Sequence, residues 1–165
     1  SEAWNAISEA RKGERPSSWP PHVALLHPFV RPPKMERAAE AIRDATATFS
    51  PFTLELSTFQ VIAGGERRAM VWLVPTAEGD SLERLWTAVS AAVPGFENRP
   101  SGFRGPYSPH ITIATCGSVK KAEAAAAALA DSWHPLHFEV TSLDLMAKER
   151  GYKARFTRRA TVALG

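Results

Sequence analysis

Apolar and polar positions change period along the chain, and each change marks an element. The run "HVALLHPFV" (22–30) is apolar, rich in β formers and closed by "RPP" (31–33), so it reads as a strand. In "KMERAAEAIRDATATF" (34–49), Met35, Ala38, Ala39, Ile42, Ala45 and Phe49 recur at helical spacing, and "SPF" stops the pattern. "FTLELSTFQVIA" (52–63) alternates apolar and polar residues, "GGER" gives a tight connection, and "RAMVWLVP" (68–75) returns as the second strand of a hairpin. A second helix is predicted in "GDSLERLWTAVSAAV" (79–93), with Asp80 or Ser81 as its cap and Leu82, Leu85, Trp86 and Val89 on one apolar face. The stretch "PGFENRPSGFRGPY" (94–107), punctuated by proline and glycine, reads as a loop.

From His110 the order of elements repeats. "HITIATC" (110–116) is a predicted strand, "SVKKAEAAAAALADSW" (118–133) a helix, "LHFEVTSLDLMAKE" (136–149) a strand, "GY" a turn and "ARFTRRATVAL" (154–164) a strand. Histidines follow prolines at 22 and 110, an offset of 88, and the pairs Arg67/Arg68 and Arg158/Arg159 open similar strands at an offset of 91. An internal duplication explains both offsets best. The expected architecture is therefore α+β: one domain over residues 1–165, with lobe-forming repeats at about 21–93 and 108–164. Each lobe would hold a small antiparallel sheet with flanking helices, in a pseudo-twofold arrangement. That symmetry would set His22 and His110 across a shared cleft between the lobes.

Composition adds constraints. Hydrophobic residues make up 44% and charged residues 22% of the 165, an ordinary balance for a chain with a packed core. No apolar run reaches membrane-spanning length and "SEAWNAISEARKGER" lacks the apolar centre of a signal peptide, so no membrane association and a cytoplasmic, intracellular protein are expected. A monomer is expected. The single Cys116 has no internal disulfide partner and no companions at metal-ligand spacing, so it reads as packing. The net charge of +3, with a pI near 9.3, favours a phosphate-bearing ligand without demanding nucleic acid.

The two histidines carry the candidate chemistry. If each opens a strand, His22 shares a face with Ala24, and His110 with Thr112. Imidazole titrates near pH 6.5 when unperturbed, so one ring of a pair can take a proton while the other gives one. In-line displacement at phosphorus needs such a base and acid on opposite sides of the phosphorus atom. General acid and base groups contribute about 100 to 10,000-fold each. Thr112 and backbone N–H groups can carry the phosphoryl charge, so no metal or other cofactor is called for.

"SPHITIA" (108–114) and "PPHVALL" (20–26) together resemble the paired motifs of the two-histidine (2H) phosphoesterase superfamily, which includes the 2′-5′ RNA ligase-like proteins and cyclic phosphodiesterases. Its signature, present twice, is histidine, any residue, Thr or Ser, then an apolar residue. The second copy matches in full. The first has Ala24 in place of the hydroxyl residue. The resemblance, covering residues 21–164, implies a bilobal α/β fold and metal-independent hydrolysis of a 2′,3′-cyclic phosphate or another 2′-linked phosphoester, with His22 and His110 as catalysts. The implied partner is a nucleotide or an RNA with a cyclic phosphate end. Ala24 opens an alternative, a nucleotide-binding module with weakened or lost turnover. An interaction domain with a vestigial cleft is a third reading.

In the loop before His110, Arg104 could pair with a phosphate and Tyr107 or Phe103 could stack on a base. Trp19 and Phe29 bracket the first motif, where lining the cleft and packing the core are equally open. His27, just before Pro28, and His134 and His137 in "WHPLH", a turn into a strand, read as structural or surface residues.

Overall fold

The computed structural model describes residues 2–11, 19–27, 29–65, 67–96, 107–148 and 155–165. In chain order these form helix α1 (Glu2–Ala10), a 3-10 turn (Pro32–Lys34), α2 (Met35–Thr46), β1 (Phe52–Ala63), β2 (Ala69–Ala77), α3 (Ser81–Ala92), β3 (Ile111–Cys116), α4 (Val119–Ser132), β4 (Leu136–Val140), β5 (Ser142–Lys148) and β6 (Phe156–Ala163). The class is α+β, with two antiparallel sheets. One is four-stranded in the order β3-β2-β1-β4, and the other pairs β5 with β6.

Residue contacts divide the chain into two compact units, each drawn from three segments. The first takes Ser1–Val23, Leu54–Thr76 and Pro109–Phe138; the second takes Ala24–Thr53, Ala77–Ser108 and Glu139–Gly165. Each unit has an antiparallel sheet and two helices. Each nevertheless draws on both halves of the sequence, so the duplicated lobes do not emerge as a division at the middle of the chain.

In the first unit, one side of the four-stranded sheet is dry. Leu56, Ala69, Val71, Leu73, Ile111, Ile113 and Ala114 join Ala3 and Ile7 of α1 and Ala122 of α4 in one buried cluster. On β2, Ala69, Val71 and Leu73 are alternate residues that face this cluster, while Trp72 is buried on the other side of the strand. Opposite them the register runs Val71 to Ala114 and then Trp72 to Thr112, so Ile113 is the extra residue of a β-bulge. The bulge turns Ile113 into the core beside Ala114 and leaves Thr112 directly across from Trp72. Helix α4 begins with a true cap, Ser118 Oγ accepting from the Lys121 N–H at 3.3 Å. Its far end is tied to β1 by Trp133, whose Nε1–H donates to the Leu56 carbonyl at 2.8 Å and whose ring meets Phe59 edge-on.

The second unit packs α2 against α3 and β6. Met35, Ala38, Ala39 and Ile42 form the buried stripe of α2, and the fully buried Thr46 satisfies its hydroxyl on the Ile42 carbonyl at 2.9 Å. Asp144 ties the two-stranded sheet together, accepting from Thr161 Oγ1 at 2.6 Å and lying 3.6 Å from Arg158.

Three expectations about elements change. Residues 22–27, 29 and 30 form bends and irregular backbone, not a strand. Prolines at 20, 21, 28, 32 and 33 remove backbone donors from and around this stretch, so a ladder there would be broken at both ends. The strand expected over 136–149 is two strands in different sheets, broken at Thr141. Helix α3 starts after Asp80, as expected, but neither candidate caps it: Asp80 makes no side-chain cap bond and Ser81 Oγ donates to the Glu78 carbonyl instead.

Candidate active site

Both histidines fall in the first unit. His22 therefore comes from irregular backbone and His110 from the residue just before β3, and the expectation that each lobe supplies one of them is not met by this division. His22 is exposed. Its Nδ1 lies 2.8 Å from the Pro20 carbonyl, which can only accept. With that bond made, Nδ1 is the protonated nitrogen that donates to the carbonyl. The Trp19 ring stacks on the imidazole at 4.6 Å between centroids, 26° from parallel.

His110 is held differently. Its ring lies flat on Trp72, with centroids 3.6 Å apart and planes within 9°. Trp72 is 7% exposed, and its Nε1–H is buried without a hydrogen-bond partner. An unmet buried donor costs about 1 to 3 kcal/mol. Thr112, half-buried, stands opposite Trp72 in the β2–β3 register, and directly opposed residues share a face of the sheet. The strand edge thus groups an imidazole, a hydroxyl and an indole. His110 and Thr112 were legible as a motif. Trp72 was not, because only the strand pairing brings it there.

Ala24, Phe29 and Tyr107 lie in the second unit. The Tyr107 hydroxyl donates to the Ala24 carbonyl at 3.2 Å, so these two candidates do meet. What meets is a phenol and a backbone carbonyl, and Ala24 itself has no side-chain polar atom to offer. Burial pushes the Tyr107 phenol far above its ordinary range. Its ring lies parallel to Trp86 of α3, with centroids 5.1 Å apart. Tyr107 is thereby packed and bonded where it stands, which suits a wall or anchor better than a mobile stacking platform. Phe29 meets Phe96 edge-on at 5.8 Å. Arg104 and Phe103 lie outside the described residues.

Among the described residues no three His, Cys, Asp or Glu side chains are grouped so as to hold a metal ion, and no helix is long and apolar enough to cross a membrane. His27, His134 and His137 are exposed.

Comparison with known families decides the affiliation. The model of the 2′-5′ RNA ligase superfamily matches residues 1–152. The chain belongs to that superfamily, which is the 2H phosphoesterase superfamily. A phosphoesterase or ligase-like function fits this membership. No curated protein matches the chain in sequence.

Proposed function

We propose that this 2H protein is a phosphodiesterase that opens 2′,3′-cyclic phosphates, or cleaves 2′-5′ linkages, on nucleotides or RNA ends, without a metal. The observation that carries the reading is the pair of histidines in one unit of a 2H chain, one oriented by the bond between its Nδ1 and the Pro20 carbonyl, the other braced on Trp72 beside a hydroxyl. One imidazole removes a proton from the attacking water as the new P–O bond forms. The other protonates the departing ribose oxygen as the old P–O bond breaks. Thr112 Oγ1 and backbone N–H groups bear the charge that builds on the phosphoryl oxygens. The protein acts as a monomer in the cytoplasm on this reading.

The test is hydrolysis of a panel of 2′,3′-cyclic mononucleotides with EDTA present, resolving 2′- from 3′-phosphate products. His22→Ala and His110→Ala should each lower turnover by about 100 to 10,000-fold, and the wild type should give a bell-shaped pH profile. The product isomer names the leaving oxygen. Wild-type turnover surviving either substitution sinks the two-histidine mechanism.

Ala24 favours a second reading, a nucleotide-binding module with little turnover. A hydrogen bond to a charged group contributes about 1.5 to 3 kcal/mol, and this position offers no side chain to make one. Saturable nucleotide binding without hydrolysis, with turnover appearing in Ala24→Thr, selects this second reading over the first.

A further inference from the structure

We propose that Trp72 is a positioning residue for His110, fixing the imidazole plane at the reacting end of β3; its catalytic consequence rests on the phosphodiesterase reading. Nothing in the family signature involves position 72. The inference comes from three features of the fold taken together.

The first is the stack itself. At 3.6 Å between centroids and 9° between planes, the imidazole overlaps the indole nearly in full. Neutral aromatic pairs prefer offset or edge-on arrangements, whereas a cationic ring is drawn onto the face of an indole. The second is how Trp72 is held. It sits between Val71 and Leu73, both fully buried on the opposite side of β2, and is itself 7% exposed, so the indole has little freedom to swing. The third is the bulge at Ile113, which brings Thr112 across from Trp72 and His110 within reach of its face. A histidine just before a strand would otherwise be free to choose among rotamers. Here one face is already occupied.

The indole also keeps a buried N–H without a partner. Phenylalanine would supply a smaller face with no such N–H, and leucine no aromatic face at all. That difference makes the experiment. Wild type, Trp72→Phe and Trp72→Leu are compared by NMR of the His110 ring protons, assigned by their loss in His110→Ala, and by kcat and KM on a 2′,3′-cyclic mononucleotide. Thermal melts confirm that each variant folds.

Wild-type His110 ring protons should lie upfield through the indole ring current. Trp72→Phe should retain part of that shift and stay within about tenfold of wild-type kcat. Trp72→Leu should lose the shift and about 100-fold in kcat with KM little changed, the scale of loss when a catalytic group is misplaced by about an ångström. Ordinary ring-proton shifts in the folded wild type would overturn the proposal. So would a wild-type kcat in a folded Trp72→Leu protein. A wild type that turns nothing over removes the phosphodiesterase reading alone, because the ring-current shift and its response to Trp72→Leu still decide whether Trp72 fixes the imidazole.

Discussion

Tyr107 shows how much one half-buried group changes what the chain can tolerate. Its phenol donates to the Ala24 carbonyl and is pushed by burial well above the ordinary range near pH 10. In the unfolded chain the same phenol ionises near pH 10, so at higher pH the unfolded state binds fewer protons than the folded one. Tyr107 therefore contributes its full stability below about pH 10 and progressively less above it. Tyr107→Phe should flatten that alkaline slope, because phenylalanine has no proton to lose, while costing about 1 kcal/mol at neutral pH for the missing hydrogen bond. Denaturant titrations of both proteins at pH 8 and pH 11 measure this directly; an undiminished slope in the variant assigns the alkaline loss to other groups. At the same scale, His22, His110 and Thr112 were readable because a histidine after a proline at the head of an apolar run, twice in one chain and once followed two residues on by a hydroxyl, is a chemical pattern. Trp72 and the Tyr107–Ala24 bond were not, because each depends on residues far apart in sequence meeting through a particular register or turn.

Elements were legible where one face of a regular period is buried. The helices predicted over 34–49, 79–93 and 118–133 appear as Met35–Thr46, Ser81–Ala92 and Val119–Ser132. The parity of the apolar residues after Leu136 also held a signal: Leu136, Phe138 and Val140 are even positions, Leu143, Leu145 and Ala147 odd. Alternation that changes parity is how a chain leaves one sheet for another, and the break at Thr141 is where it does. Helix α1 has no counterpart among the predicted elements, although Ala3, Ile7 and Ala10 stand on one helical face. Caps were harder, since a capping residue type says nothing about the rotamer it adopts. Ser118 bonds the Lys121 N–H whereas Asp80 leans toward Arg84, 3.9 Å away and exposed. Ser118→Ala should accordingly cost about 1 kcal/mol, and Asp80→Ala less, because an exposed ion pair contributes little. Paired chemical denaturation of the two variants tests the ranking, and an Asp80→Ala cost equal to that of Ser118→Ala would contradict it.

At the scale of the whole molecule, the interleaving of segments decides what can be separated. A duplication read from the sequence invites the thought that each half is a unit able to stand by itself. The contact units say otherwise, since the chain passes from one to the other at 23/24, 53/54, 76/77, 108/109 and 138/139. A fragment ending at Tyr107 keeps β1 and β2 but loses β3 and β4, the strands that flank them on both sides, and with α4 it loses the fully buried Ala122. What remains of the sheet is a two-stranded hairpin, marginal in water by itself, with Val71 and Leu73 deprived of Ile111 and Ile113. It also loses β5 and β6, and with β6 the strand against which α2 packs. The fragment 1–107 should therefore lack a cooperative melt and near-ultraviolet circular dichroism, and 108–165 should do the same, whereas the full chain shows both. Mixing the two fragments should restore both signals if the interleaved segments complement one another. A fragment 1–107 that melts cooperatively while monomeric would show instead that the first half carries a self-sufficient core, and would return the duplicated halves to the centre of the description.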